Sequence, residues 1–242
     1  MRVLVSITSY QLHKRPYLDR ILDEYLGFSK YDVTIALATK YDYTAIHDRI
    51  KVVPNTLDGW EHTWNNEDYL QQNYGGYDLI VSQDDDILLT EANLDYYVEH
   101  QGISDAYIPG FLVYEKTKTL VQLVSMSVAG DSVEKTMDID GTSYFVPSNK
   151  HSACFVADRK RYAETLKHGI EREKHSFYPV PCMSRTGIYL KAGMEKVIAA
   201  SGVSNGSALV RHLPTRYARE VSFIPIRFLT QEKLVTLIGQ RP

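Results

Sequence analysis

The chain has 242 residues, of which 44% are hydrophobic and 24% are charged, a composition that argues against disorder and suffices for one large core or two small ones. Its 27 basic and 30 acidic residues give a net charge of −3, so no overall basic field indicates nucleic acid or an anionic membrane as the partner. The simplest organisation is one domain with additions.

Leader sequences, membrane spans and cysteine motifs are not evident. Residues 1–8 lack the length and the small-residue cleavage site of a signal peptide, and no apolar run approaches the length of a membrane span. Cys154 and Cys182 could form one bridge, but they lack CxxC spacing, so we expect them to be reduced and buried. These features predict a cytoplasmic protein.

The first half of the chain alternates strands with helices. Val3–Ile7 is a β-branched run that ends in polar residues, where a first strand-to-helix loop is expected to bind a ligand. Residues 16–26 carry apolar side chains at helical spacing and are followed by Gly27 as a stop signal. Asp32–Thr39 and Ile50–Val53 are predicted as the second and third strands.

A second helix is predicted from a capping box at Asp58 through about Asn73. It carries Trp60 and Trp64 one turn apart, a spacing that favours packing on the sheet over base stacking. Asn65 is a ligand candidate on the same helix because a buried amide needs hydrogen-bond partners.

The second half of the chain is richer in predicted strands. Thr90 is predicted to cap a helix, and Tyr107–Tyr114 and Leu120–Ser127 are predicted to form a hairpin. Gly130–Gly141 is predicted to be a polar loop that orders on ligand binding, together with the charged run Glu171–His175. Further elements are predicted at Tyr144–Pro147, His151–Ala157, a helix after Asp158, Met183–Ala192, Lys196–Ala200, 208–214, Val221–Leu229 and a helix from Thr230.

Three consecutive carboxylates, Asp84, Asp85 and Asp86, follow the apolar run 79–81. Such a run suits a buried strand, and like charges crowded at its end are costly unless cations neutralise them. In an extended chain Asp84 and Asp86 would face the same way and share a Mg²⁺ or Mn²⁺ ion, while Asp85 would face elsewhere. The alternative is an acidic surface turn that caps the next helix.

The order of these elements resembles the GT-A class of nucleotide-sugar glycosyltransferases, and Asp84-Asp85-Asp86 matches their DxD motif. Residues 151–162 resemble the strand-to-helix unit under the acceptor, and Val210-Arg211-His212 resembles the late strand whose histidine joins the metal. The resemblance covers roughly residues 1–215. It implies one α/β domain of GT-A type over 1–242, with a Rossmann-like, mostly parallel sheet flanked by helices and a small additional β region.

Within that domain, the resemblance implies a nucleotide-binding half at 1–90, an acceptor-side half at 91–215 and a C-terminal strand and helix at 216–242. The implied cofactor is Mn²⁺ or Mg²⁺. The implied ligands of the metal are Asp84, Asp86 and His212. The residues implied to bind the donor nucleotide sugar are Thr8, Ser9, Tyr10, Asn65, Asp84 and Asp85.

One departure from the family pattern concerns the catalytic base. Many inverting members place an acidic pair where this chain has Pro181-Cys182. An inverting transfer needs a base to deprotonate the acceptor, whereas a retaining transfer can use the leaving phosphate. The candidate bases are Glu171, Glu173 and Asp140, with His175 as a further substitute.

The predicted function is metal-dependent transfer of a sugar from a nucleotide diphosphate, with uridine as the expected nucleoside. The acceptor can be a glycan, a lipid-linked sugar, a protein or a modified nucleic-acid base. Two alternatives are a nucleotidyltransferase with carboxylate-bound Mg²⁺ and an inactive nucleotide-sugar-binding module. Residues 8–13 lack the glycine-rich basic loop expected of a nucleotidyltransferase.

Overall fold

The computed structural model describes residues 1–9, 11–40, 43, 47–53, 62–116, 121–123, 133–147, 154–167 and 192–214. Two compact units are formed, one from Met1–Ile87 with Ala153–Gly193 and one from Leu88–Ser152 with Met194–Pro242. The strands are β1 Arg2–Ser9, β2 Asp32–Thr39, β3 Ile50–Val53, β4 Leu79–Asp84, β5 Ile87–Leu88, β6 Tyr107–Pro109, β7 Leu112–Lys116, β8 Val121–Leu123, β9 Val133–Ile139, β10 Thr142–Pro147, β11 Cys154–Asp158, β12 Glu195–Ala199 and β13 Leu209–His212. The helices are α1 Arg15–Leu26, α2 His62–Asn73, α3 Glu91–His100, α4 Arg159–Lys167 and α5 Ala200–Ser204.

The first unit is built on a five-stranded sheet of order β11-β4-β1-β2-β3. Strands β1 to β4 are parallel, and β11 is antiparallel to β4. Helix α2 packs against β1 and β2, while α4 packs against β4 and β11. This mixed α/β unit, with a parallel-dominated sheet flanked by helices, confirms the predicted fold class.

The parallel strands form where the sequence is continuously apolar, because a central parallel strand is covered on both faces. Four side chains of β1 illustrate this, since Val3, Leu4, Val5 and Ile7 are completely buried. The chain places β2 and β3 on one side of β1 and then crosses to place β4 on the other side. The carboxyl ends of β1 and β4 therefore lie at the point where the strand order reverses, which is where open α/β sheets bind ligands.

The described residues also form two four-stranded sheets, of order β6-β12-β10-β9 and β5-β13-β7-β8. The additional β region is therefore larger than predicted. The single predicted strand Tyr107–Tyr114 is divided into β6 and β7, which belong to different sheets. Gly110 lies at the division, and a Cβ atom there would be 2.5 Å from Cγ of Lys196, so a larger residue would have to displace the buried Lys196 side chain.

The prediction of a polar loop at Gly130–Gly141 is wrong for the residues of this stretch that the structure describes. Val133–Ile139 forms β9, which pairs antiparallel with β10. Asp140 and Gly141 make the turn with φ angles of 49° and 77°. An Asp-Gly pair is a strong signal for such a two-residue hairpin turn, and the polar character of β9 arises because much of the strand faces solvent. A lid role for this stretch is not supported, and Glu171–His175 lies outside the described residues.

The single-domain assignment over 1–242, with its parts 1–90, 91–215 and 216–242, stays a prediction. None of the described helices is both long enough and apolar enough to cross a bilayer.

The side chain of Gln83 holds the turn that carries the acidic triplet. Gln83 is completely buried in β4, and its Nε2 donates a hydrogen bond to the carbonyl of Ile87 at 2.7 Å. Its Oε1 accepts a hydrogen bond from the hydroxyl of Tyr25 in α1. One amide thus links α1 to both ends of the turn formed by residues 84–86.

Replacement of Gln83 by Met should destabilise the first unit. The change removes a partner from a buried hydroxyl and from a buried carbonyl, each of which costs about 1–3 kcal/mol when left unsatisfied. Gln71→Met is the matched control because Gln71 is exposed on α2. Urea unfolding followed by circular dichroism measures the two losses, and equal stability of the two variants would show that the Gln83 link contributes nothing.

Candidate active site

The candidate site lies at the carboxyl ends of β1 and β4. Thr8 of β1 is paired with Asp84 of β4 in the parallel register, and Ser9 is the last residue of β1. Thr8 and Ser9 are 3% and 2% exposed, so their hydroxyl groups lie within the protein rather than on its surface. The predicted donor-binding loop and the acidic triplet are therefore neighbours, as the sequence-based hypothesis requires.

The acidic triplet is not an extended segment. Strand β4 ends at Asp84, and Asp85 and Asp86 form a turn before β5. The prediction that Asp85 faces away from Asp86 is wrong, because the turn breaks the side-chain alternation on which it rested. Asp85 is 1% exposed and Asp86 is 8% exposed, so both carboxylates are buried.

Lys14 is the cation that these two carboxylates share. Its Nζ lies 3.2 Å from Oδ1 of Asp85 and 2.8 Å from Oδ2 of Asp86. Lys14 ends a short 3₁₀ turn between β1 and α1, so the same loop that follows β1 delivers it to the end of β4. The sequence did not single out Lys14. The available signal was a basic residue in the loop after β1, just beyond residues 8–13.

Burial and the contacts between these groups shift the pKa values of Asp85 and Lys14. Burial raises the pKa of Asp85 to about 6, and the Lys14 ammonium and the Ser9 hydroxyl, which favour its charged form, offset only part of that effect. Burial alone would lower the pKa of Lys14, but Asp86 and Asp85 together outweigh it and raise that pKa above its ordinary value. Among the described residues, the Lys14 ammonium is thus shared by two buried carboxylates.

Helix α2 contributes Asn66 to the site. Its Nδ2 donates a hydrogen bond to Oγ1 of Thr8 at 2.6 Å, and the contact is buried. The predicted ligand candidate was the neighbouring Asn65, which is 9% exposed. An amide on this helix was therefore expected, but the residue that contacts Thr8 is one position further along.

The other predicted site residues are distributed along the chain. Tyr10, Glu171 and Glu173 lie outside the described residues. Asp140 is exposed in the left-handed turn between β9 and β10, a conformation that aspartate tolerates, so the turn by itself explains this residue. His212 ends β13 in the second unit, where its Nδ1 lies 2.6 Å from Oε1 of Glu115. Their predicted roles stay predictions.

The carboxylates of the triplet are donors of the kind that a hard divalent cation binds. Mg²⁺ and Mn²⁺ prefer oxygen ligands, and the carboxylates here are held together around a positive charge. Oδ2 of Asp85 is buried and has no hydrogen-bond partner, an arrangement that a cation would relieve. In the part of the chain that the structure describes, no three His, Cys, Asp or Glu side chains are grouped closely enough to hold a metal ion. The ligand set Asp84, Asp86 and His212 stays a prediction.

Comparison with known proteins places this geometry in a known fold. The solved structure of mannose-1-phosphate geranyltransferase from Thermus thermophilus is similar with a TM-score of 0.50 and 11% identity, over 82% of this chain and 74% of that chain. The structure of 4-diphosphocytidyl-2C-methyl-D-erythritolsynthase from Anaerococcus prevotii gives a TM-score of 0.41 and 14% identity, over 98% and 97%. No family model and no curated protein matches the sequence. The likeness to the first structure is one of fold.

Replacement of Lys14 by Met should destabilise the protein and make its stability depend on metal. Without the ammonium, Asp85 and Asp86 repel each other inside the protein, and breaking a buried pair typically costs about 3–5 kcal/mol. Saturating Mn²⁺ should restore more stability to the variant than to the wild type. Lys51→Met, at an exposed position of β3, is the control. Thermal unfolding with and without Mn²⁺ measures the difference, and wild-type behaviour of Lys14→Met would show that Lys14 is dispensable.

Asp85 and Asp86 should contribute similarly to cation affinity, because both face the position of the Lys14 ammonium. Asp85→Asn and Asp86→Asn should each weaken Mn²⁺ binding by at least about tenfold, the lower bound for groups that support a metal site. Titration calorimetry in the presence of UDP measures the affinities, with the exposed Asp32→Asn as control. Asp85→Asn could instead bind Mn²⁺ like the wild type while Asp86→Asn does not. That result would show that Asp85 faces away from the cation in the metal-bound state, as an extended chain predicts.

Proposed function

We propose that this protein is a transferase that moves a sugar from a nucleotide diphosphate sugar, with uridine as the expected nucleoside, to an acceptor. The observation that carries this proposal is the position of the acidic triplet. Asp84 ends β4, and Asp85 and Asp86 follow it, at the reversal of the strand order and beside the end of β1. A crevice at that point suits a nucleotide, and the carboxylates suit the cation that accompanies a diphosphate.

The side chains of the first unit have separate roles in this proposal. Thr8 and Ser9 bind the nucleotide, with Thr8 held in place by Asn66. Asp84 and Asp86 would hold Mn²⁺ or Mg²⁺, and the role of His212 as a further ligand stays a prediction from the sequence. A bound divalent ion supplies a Lewis acid that stabilises the negative charge developing on the departing diphosphate. Asp85 supports the same cation from beside Asp86 and pairs with the Lys14 ammonium.

The acceptor hydroxyl requires a base if the transfer inverts the sugar configuration. Glu171 and Glu173 are the candidates proposed from the sequence. Asp140 is the weakest candidate, because the hairpin turn accounts for it. A retaining transfer would instead let the leaving phosphate accept the proton.

Nucleotidyl transfer is the second candidate function, and a specific observation favours it. The loop after β1 does deliver a cationic group, Lys14, to the acidic pair, although the loop is not glycine-rich. Such a group can bind the phosphates of a nucleoside triphosphate. The solved structure that shares the fold also bears the name of a transferase of mannose 1-phosphate.

The products of the reaction distinguish these functions. The purified protein is incubated with Mn²⁺ and a panel of nucleotide diphosphate sugars, and in parallel with nucleoside triphosphates and sugar 1-phosphates. We expect slow release of nucleoside diphosphate from one donor by hydrolysis, increased by the correct acceptor and abolished in Asp86→Ala. Release of pyrophosphate in the parallel reaction would show that the protein catalyses nucleotidyl transfer and not glycosyl transfer.

Donor binding without turnover would identify an inactive binding module. A donor at a hundredfold excess over its Kd stabilises the protein by about 2.7 kcal/mol, which a thermal shift detects. If no donor, triphosphate or sugar phosphate shifts the unfolding transition with or without Mn²⁺, the proposed function is wrong.

A further inference from the structure

One face of the five-stranded sheet changes from apolar to polar along its central strands. Side chains two positions apart on a strand share a face, so Leu4, Ser6 and Thr8 of β1 lie on the same face. In the parallel register Leu4 is paired with Ile80 of β4, and Ser6 is paired with Ser82. The face is therefore apolar near the amino ends of the two strands and polar towards the candidate site.

Helix α2 covers the polar part of this face. Its Asn66 donates the hydrogen bond to Thr8 described above. The next residue, Glu67, is also buried, and its Oε1 accepts a hydrogen bond from the hydroxyl of Ser82 at 3.2 Å. One helix thus brings two polar side chains against two neighbouring strands.

Tyr162 of α4 continues the polar region over the next strand of the sheet. Its ring is stacked on that of Phe155 with 6.2 Å between centroids, and Phe155 is paired with Ser82 in the antiparallel register. Burial, and after it the Glu67 carboxylate, raises the pKa of the Tyr162 hydroxyl, which therefore keeps its hydrogen. The polar layer so formed consists of Ser6, Thr8, Ser82, Asn66, Glu67 and Tyr162.

The polar layer contains hydrogen-bonding groups that the protein does not satisfy. Within the described part of the chain, Oγ of Ser6, Oδ1 of Asn66 and the hydroxyl of Tyr162 are buried without a hydrogen-bond partner. All three residues are 0% exposed. Buried polar groups of native proteins are almost always hydrogen-bonded, to protein or to ordered water. Because these residues are completely buried, a partner from outside the chain has to be as small as water.

We propose that the polar layer binds ordered water, held by the Ser6 hydroxyl, the Asn66 amide and the Tyr162 hydroxyl. Buried water typically makes about three hydrogen bonds to polar groups that otherwise lack partners. The two hydroxyls can donate or accept and Oδ1 of Asn66 accepts, so these groups suit the two donors and two acceptors of water. Asn66 also donates to Thr8, so this water supports the end of β1 from inside the protein. It is bound whichever transfer the protein catalyses.

Replacement of Tyr162 by Phe tests for this water through stability, because the sign of the change differs between a wet and a dry layer. If water binds the hydroxyl, the variant loses a hydrogen bond, and we expect the Tm to fall by roughly 2–4 °C. In a dry layer the buried hydroxyl only costs free energy, so a raised or unchanged Tm would overturn the proposal. Tyr25→Phe is the reference for losing a hydrogen-bonded hydroxyl, since Tyr25 is equally buried and donates to Gln83.

A crystal structure of the wild type locates the water directly and does not depend on a variant that folds. We expect water density within about 2.7–3.2 Å of the Ser6 hydroxyl, the Asn66 amide and the Tyr162 hydroxyl, the usual range of hydrogen-bond lengths. In crystals of Tyr162→Phe, the water beside residue 162 should be lost. Direct pairing of the three groups with one another, or no density beside them in the wild type, would show that the layer binds no water.

Discussion

The first unit depends on neutralising two carboxylates that the fold buries. Asp85 and Asp86 lie at the end of a central parallel strand, where water cannot screen their repulsion. The loop after β1 must therefore return close enough for Lys14 to reach both of them, and α1 begins at the next residue. The path of the chain between the first strand and the first helix is thus set by the charge requirement of a strand that comes much later in the sequence.

The parallel sheet could be predicted because its signals are local. A strand covered on both faces needs a continuous apolar run, and the predicted bounds of Asp32–Thr39 and Ile50–Val53 coincide with β2 and β3. The N-cap at Thr90 is confirmed by its reciprocal hydrogen bonds with Asn93. Asp158 likewise accepts a hydrogen bond from the backbone of Arg161 at the start of α4.

The second unit was harder to predict because its strands are short and their partners are distant in sequence. The Pro109-Gly110 pair inside Tyr107–Tyr114 signals a break. It does not show that the two ends join different sheets, because their partner strands are distant in sequence. For the candidate site, the sequence indicated that three carboxylates are clustered, but it did not indicate how these side chains are arranged in space. The turn after Asp84 rotates Asp85 towards Asp86, and the pairing with Lys14 is a tertiary contact that no spacing in the sequence encodes.

The exposed strand β9 also affects how copies of this protein meet one another. In the described part of the chain β9 is the last strand of its sheet, and an unpaired strand edge is a template for association with another chain. The strand carries the charged side chains of Glu134, Lys135 and Asp138 and only a few apolar ones. Lys135 forms an ion pair with Glu195. Bringing a second strand against this edge would force those charges to shed water. The polar sequence of β9 therefore protects the sheet from edge-to-edge aggregation.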